Sequence, residues 1–383
     1  MGPLKGVKVV EFAGIGPASF AGMLLADLGA GVVRIERLSG TAMPISVEPR
    51  RDLMSRGRKS VALNLRSPQA IEVASRIVRG SDLLIEGFRP GVMERLGLGP
   101  ERCLELNPRL IFGRVTGWGQ TGPMRDRAGH DINFIALSGA LDLIGRAGEP
   151  PCPPLNLVGD MGGGGLLLAF GLVCALLEAR QSGMGQVVDS AMVDGSALQL
   201  SAILMAQANG HWDGPRGTHF SDTGSHFYEV YATADEKYVA VGAIEPAFYA
   251  QLCQITGIDV GDPPDQMNPV TWPGAKKKLA DIFRQRTREE WALLAEKSDC
   301  CITPVLSPTE AHEHPHLRER GTYMLDDGIL QPAPAPRFSR TPGQAGTPPS
   351  PGQHTRAILR EHGYDNEAVD ALISQGVVGA DDG

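Results

Sequence analysis

Six short apolar runs, most of them rich in branched residues, punctuate the first half of the chain: Val7–Phe12, Val32–Glu36, Val61–Leu65, Asp82–Ile85, Leu110–Thr116 and Gln186–Asp189. Runs of this length and composition read as buried strands. Between them lie segments of helical character. In "GIGPASFAGMLLADLG", Phe20, Met23, Leu24 and Leu28 share one face, and Gly29 is placed to end the helix in a left-handed cap. In "SPQAIEVASRIVRG", Ser67 is an N-cap candidate, Pro68 occupies the first helical position and Gly80 can stop the helix. Strands alternating with helices predict an α/β fold with a Rossmann-like parallel sheet, covered by helices on both faces.

The second half changes texture. After Gly165 a buried helix is expected to about Arg180, and a Met- and Ala-rich helix follows the strand at 186–189. "HFYEVYATADEKYVAVGAI" alternates and turns like a β-hairpin, and helices with charged faces follow at about 275–297. The Pro- and Gly-rich "QPAPAPRFSRTPGQAGTPPSPGQHT" reads as extended, and a helical hairpin closes the chain. The expected organisation is a large α/β domain from 1–190 plus 325–383, a linker helix at 191–221, a smaller α+β domain at 222–318 and an extended connector at 319–350.

With 383 residues the chain can bury two sizeable cores. The formal charge of −8 argues against a general nucleic-acid or membrane-surface role. Six cysteines, at 103, 152, 174, 253, 300 and 301, form no CxxC pair and no zinc or disulfide pattern. They are expected to be reduced thiols of a cytoplasmic protein. "MGPLKGVKVVEF" lacks the apolar core of a signal peptide, and the apolar run Leu166–Leu177, interrupted by Gly171, is short for a bilayer span. No membrane, metal or nucleic-acid partner is expected.

Five features could carry chemistry. "EFAGIGPASFAG" followed by Glu36 imitates a dinucleotide fingerprint, but Ser19 stands where the third glycine belongs and Pro17 removes an N–H, so a tight βα turn is the better reading. Arg34, Arg37, Arg66, Arg89 and Arg95 cluster near the carboxyl ends of expected strands, where an open α/β sheet binds ligands; together they suit a phosphorylated one. His130 in "RAGHDINFIALSG" stands at an expected helix start, either as a structural histidine or as an imidazole available for proton transfer. Asp160 precedes Gly162–Gly165; it could cap a helix, or the glycines could leave N–H groups bare for an oxyanion. Glu245 in "VAVGAIEPAFY" could start a helix or orient an imidazole.

Taken in order, "GVKVVEFAGIGPASFAGMLLADLGAGVVRIER", "EGFRPGVMERLGLGP", "RVTGWGQTGP", "AGHDIN", "PPLNLVGDMGGGG", "GQVVDSAMVDG", "VAVGAIEPAFY", "CITPVL" and "PAPRFSRTPG" resemble the family III CoA-transferase (CaiB/BaiF) superfamily, and within it the racemase branch acting on 2-methylacyl-CoA thioesters. The resemblance implies an isomerase in which His130 and Asp160 are the two acid/base residues and Glu245 is the histidine's carboxylate partner. It places CoA near Arg37, Leu63, Asn64, Leu65, Arg66, Gly87, Arg89 and Arg95. It places the acyl thioester against Gly129 and the stretch Asp131, Ile132, Asn133 and Phe134. It further implies an interlocked homodimer, and no cofactor beyond the CoA that belongs to the substrate. Racemisation at C2 takes a proton from one face and returns one to the other, which calls for two bases and an enolate intermediate. The Met-rich 192–205 stretch suits a sliding acyl group. The alternative on the same fold is a CoA-transferase with Asp160 as nucleophile. In "THFSDTGSHFYEVY" the chain departs from the racemase pattern: Ser225 and His226 stand where a small residue and a proline are expected, so the acyl pocket or its neighbouring loop should differ.

Overall fold

The computed structural model describes residues 2–38, 47–259 and 265–381. The strands are β1 (Lys8–Phe12), β2 (Gly31–Glu36), β3 (Arg58–Leu63), β4 (Leu83–Glu86), β5 (Ile111–Thr116), β6 (Gln186–Ala191), β7 (Tyr228–Ala232), β8 (Tyr238–Gly242), β9 (Ile302–Pro304), β10 (Tyr323–Asp326), β11 (Ile329–Pro332) and β12 (Val378–Gly379). The helices are α1 (Pro17–Asp27), α2 (Pro68–Arg79), α3 (Val92–Arg95), α4 (Pro100–Leu106), α5 (Asp131–Leu137), α6 (Leu167–Ser182), α7 (Met192–Leu198), α8 (Ser201–Ala208), α9 (Pro246–Thr256), α10 (Trp272–Phe283), α11 (Arg288–Ala295), α12 (Pro308–Glu313), α13 (Pro315–Arg320), α14 (Thr355–Glu361) and α15 (Asn366–Ser374). A π-helical segment, Leu157–Leu166, leads into α6. Two compact units form: Met1–Ser138, Leu155–Gln199 and Gly321–Gly383 make the first, Gly139–Pro154 and Leu200–Arg320 the second.

The first unit holds a seven-stranded sheet in the order β12-β3-β2-β1-β4-β5-β6, parallel except where β12 runs antiparallel to β3. Strands β1 to β5 are largely buried because helices cover both faces, whereas the edge strand β6 is exposed over its first half. Val10, Phe12, Ile35, Val61 and Leu63 turn to one side and meet Val73 and Ile77 of α2, Ile358 and Leu359 of α14, and Val369 of α15. Val9, Val32, Leu83, Ile85 and Ile111 turn to the other and meet Ala21 and Leu25 of α1 and Leu168 and Leu172 of α6. Successive residues of one strand thus feed two cores. Helix α1 ends as its glycine anticipates: Gly29 has φ +96°, and the Ala30 N–H returns to the Leu25 carbonyl at 3.0 Å.

One edge of this sheet is finished from far along the chain. Besides the β12–β3 pairing, the Ser60 N–H donates to His354 Nδ1 at 3.1 Å, and the Gly352 N–H donates to Ser60 Oγ at 2.8 Å.

Beneath α1 lies a buried charge network. Glu11 of β1 is fully buried and accepts from Arg58 Nε at 2.7 Å, with Arg34 at 3.3 Å. The Arg58 guanidinium also donates to the carbonyls of Met54 and Ser19. Gly22 makes room for this pair, since a Cβ there would lie 2.2 Å from Glu11 Oε2. Arg34, counted above among possible ligand arginines, is instead held between Glu11 and Glu36.

The π-helical segment and α6 form one continuous helix, Leu157–Ser182, long and apolar enough by length and composition to cross a membrane. This corrects the shorter span read from the sequence: the glycines do not interrupt the helix. Its inner face is committed to the sheet through Leu168, Leu172 and Leu176, while Leu166, Phe170 and Leu177 face outward.

The second unit is built on the antiparallel sheet β7-β8-β9, with Phe227, Tyr231, Leu252, Trp272, Phe283 and Trp291 in its core. Glu229 of β7 accepts both arms of Arg146, at 2.8 and 2.9 Å, which ties residues 139–154 into the unit. The stretch 319–350 carries the β10–β11 hairpin ahead of its Pro-rich part.

Removing one partner of a buried ion pair leaves a charge without compensation. Arg58→Ala should therefore destabilise the protein by about 3 kcal/mol, at the low end for such losses because Arg34 remains beside Glu11. Lys59→Ala, which breaks the exposed pair with Glu361, should cost less than about 1 kcal/mol. Urea unfolding midpoints of the two variants test the contrast.

Candidate active site

Strand β1 lies where the chain reverses its direction across the sheet: β2 and β3 extend to one side, β4, β5 and β6 to the other. In open α/β sheets a ligand crevice opens outside the carboxyl ends at such a point. Arg37 follows the end of β2, Leu63–Arg66 close β3, Gly87 and Arg89 follow β4, and Arg95 ends α3. From β3 to β4 is three strand spacings, about 14 Å. Arg37, Arg66, Arg89 and Arg95 are exposed, and none forms an ion pair among the described residues. Leu63 is buried in the core and Asn64 is half-buried.

The turn after β4 has its own support. Glu86, fully buried, accepts Arg114 Nε at 2.9 Å and the Phe88 N–H at 2.7 Å, which holds the backbone that carries Gly87 and Arg89. Burial pushes its carboxyl up to about 7, against the nearby Arg114 charge.

His130 is the N-cap of α5, in extended conformation, and its N–H donates to Asn133 Oδ1 at 3.0 Å. The cap geometry leaves the imidazole exposed outside the helix. The next residue, Asp131, turns inward, and its Oδ2 accepts the Asp160 N–H at 2.6 Å. Asp160 sits in the first turn of the π-helical segment. Its Oδ2 accepts from Asn156 Nδ2 at 3.3 Å, and a Cβ on Gly16, in the β1–α1 turn, would also lie 3.3 Å from that oxygen. Burial raises the Asp160 carboxyl above its ordinary 3.8; the Asn156 hydrogen bond and His130 oppose the rise, and the Asp131 charge adds to it. The structure thus brings His130, Asp131, Asp160 and the β1–α1 turn together.

Two expectations change. Asp160 does not cap a helix, and the glycines after it are not bare backbone. A Cβ on Gly163 would lie 2.9 Å from the Ser196 nitrogen, on Gly164 2.9 Å from Met192 Cγ, and on Gly165 2.8 Å from the Pro17 carbonyl. The run exists so that α7 and α1 can close onto the helix, and the segment's N–H groups belong to its wide turns, as with Met161 N–H donating to Asn156 O at 3.2 Å. Within Gly129–Phe134, Ile132 and Asn133 are exposed, whereas Phe134 packs edge-on against Trp118, with ring centroids 4.8 Å apart.

Glu245 is carried by the second unit as the exposed N-cap residue of α9. Ser225 and His226 are buried in that unit: Ser225 Oγ donates to the Phe220 carbonyl at 2.7 Å, and His226 Nε2 lies 2.8 Å from the Tyr249 hydroxyl. Burial lowers the His226 imidazole to about 4, so it is neutral at physiological pH. No cluster of three His, Cys, Asp or Glu side chains suited to a metal occurs among the described residues. Sequence reasoning missed Asn156 and Gly16 as neighbours of Asp160; the Asn156–Asp160 spacing of four was the available signal.

The profile of CoA-transferase family III matches residues 4–355. The chain belongs to this family. It is 47% identical to the α-methylacyl-CoA racemase of Mus musculus over 99% of this chain and 98% of that one, and 42% identical to the α-methylacyl-CoA racemase of Homo sapiens over 98% and 97%. Its fold superposes on a CaiB/BaiF family protein from Brucella suis with a TM-score of 0.81 and 26% identity, covering 94% of this chain and 99% of that one. In this family III chain the buried arginines and those at the carboxyl edge differ in their partners. Arg34, Arg56, Arg58 and Arg114 are paired inside, while the arginines at the carboxyl edge stay unpaired.

The Asn156 hydrogen bond favours the ionised form of Asp160, so Asn156→Ala should raise the Asp160 pKa further. A 13C-detected NMR titration of the Asp160 carboxyl reads the direction, and a fall or no change contradicts it.

Proposed function

We propose that the chain racemises 2-methylacyl-CoA thioesters at C2. The observation that carries this is the pairing of an exposed imidazole, His130, with a carboxylate raised by burial, Asp160, the two joined through Asp131. A carboxyl with a raised pKa and an imidazole are both suited to giving and taking protons near neutral pH. One takes the C2 proton and leaves its electron pair in a thioester enolate; the conjugate acid of the other returns a proton to the opposite face, and the roles exchange with substrate hand. The glycine N–H groups are internal, so the enolate oxygen is assigned to the first-turn N–H groups of α5, on Asp131 and Ile132, which have no partner within the helix. The unpaired arginines at the carboxyl edge are assigned to CoA phosphates. No cofactor is required beyond the substrate's own CoA. Exposed Leu198, beside the glycine-packed helix start of the first unit, suits an acyl chain.

The outward apolar face of Leu166, Phe170 and Leu177 is assigned to a homodimer, interlocked as the family resemblance implies, rather than to lipid, because the inner face of the same helix is part of the sheet core. Glu245 is assigned as the carboxylate that orients a catalytic imidazole within that dimer. The protein is placed in the cytoplasm.

A family III CoA-transferase using Asp160 as nucleophile is the second reading. The exposed imidazole of His130 beside Asp160 works against it, since a nucleophilic carboxylate needs no second proton-transfer group. Incubation of either pure enantiomer of a 2-methylacyl-CoA in deuterated buffer should give C2 exchange and racemisation together. His130→Ala and Asp160→Ala should each lower that rate by roughly 100-fold or more. Passage of CoA to a free acid without C2 exchange would establish the transferase instead.

A further inference from the structure

We propose that Asp131 is a positioning residue: its carboxylate, by accepting the Asp160 backbone N–H, fixes where the Asp160 carboxylate stands and so governs proton transfer on the Asp160 face of the substrate carbon. This rests on the racemase reading above and concerns a side chain with no step of its own in that reaction.

Three observations converge. The Asp131 Oδ2 to Asp160 N distance is 2.6 Å, short even for a hydrogen bond to a charged acceptor. The other oxygen, Oδ1, is buried with no hydrogen-bond partner among the described residues. A buried carboxylate with one oxygen unsatisfied is unfavourable in itself, so core packing does not explain it. The residue before Asp160 is a glycine whose added Cβ would lie 2.6 Å from Asp131 Oδ2 and 2.9 Å from its Cγ. The chain therefore omits a side chain at 159 where the Asp131 carboxylate passes to reach the next amide. Two adjacent dipeptides, His130–Asp131 and Gly159–Asp160, are joined by this one bond.

The two bases are anchored differently, which makes the idea testable. His130 has its own fastening, the N-cap bond to Asn133 Oδ1 at 3.0 Å, and keeps it without the Asp131 carboxylate. The backbone of Asp160 is held to α5 by Asp131. Loss of the clamp should therefore impair one face of C2 more than the other, whereas general loosening of the fold would impair both alike.

The experiment measures C2 hydrogen–deuterium exchange from each pure enantiomer of a 2-methylacyl-CoA, using the full-length chain. In Asp131→Ala, exchange from one enantiomer should fall at least tenfold more than from the other. Gly159→Ala, which displaces the Asp131 carboxylate without removing it, should disfavour the same enantiomer and keeps the test alive if Asp131→Ala does not fold. Asp131→Asn retains an acceptor oxygen and should bring the ratio of the two rates back to within threefold of its starting value. Equal losses for both enantiomers in Asp131→Ala and Gly159→Ala would overturn the clamp alone. An unaltered chain that exchanges neither enantiomer would overturn the racemase reading, and this inference with it.

Discussion

The wide turns of Leu157–Leu166 set the position of the acidic group, and those turns can sit where they do because three consecutive residues lack side chains. Gly163, Gly164 and Gly165 each face an atom of α7 or of the start of α1 at a distance no Cβ tolerates. Gly195 of α7 answers from the other side, its own missing Cβ falling 2.0 Å from the Gly163 carbonyl oxygen. Backbone thus packs on backbone, and the start of the helix is wedged between the β1–α1 turn and α7. Asp160, one turn earlier, inherits that placement and meets Gly16 and Asp131. π-helical turns cost regular hydrogen bonding and are found mostly where function requires them.

The arginines show how one residue type serves two purposes within a few residues. Arg34, Arg56, Arg58 and Arg114 are spent inside the first unit on Glu11, Asp27 and Glu86. Arg114, through Glu86, holds the turn that follows β4. Arg37, just after β2, and Arg89, just after β4, stay in solvent. A buried pair of this kind contributes little net stability against apolar replacement, but it is costly to break by halves. Its effect is to hold the loops that display the exposed set in one arrangement.

Much of this could be read from the residues. Doubly covered strands announce themselves as unbroken apolar runs, which is why β1 to β6 lie within a few residues of where the runs fall. The His130 cap and the Glu245 cap were legible from their neighbours, Asn133 and Pro246. The glycine run was not. Four glycines beside an acid look alike whether a ligand or another helix approaches them, and only the tertiary neighbours, Ser196, Met192 and Pro17, decide it. Nor could sequence separate Arg34 from Arg37, since the buried Glu11 that claims Arg34 lies on a neighbouring strand. His226 was marked as a departure from the family pattern, but its place against Tyr249 in the aromatic core of the second unit depends on contacts no local pattern encodes.

The pairing of β12 with β3, and the bonds from Gly352 and His354 to Ser60, mean that the strand ending in Leu63 acquires its outer neighbour from residues about three hundred positions later. During synthesis on the ribosome, the edge that displays Asn64 and Arg66 must wait, one side open, until residues 352–379 have emerged. Until then β3 presents an unpaired strand edge, the kind of surface that invites pairing with another chain.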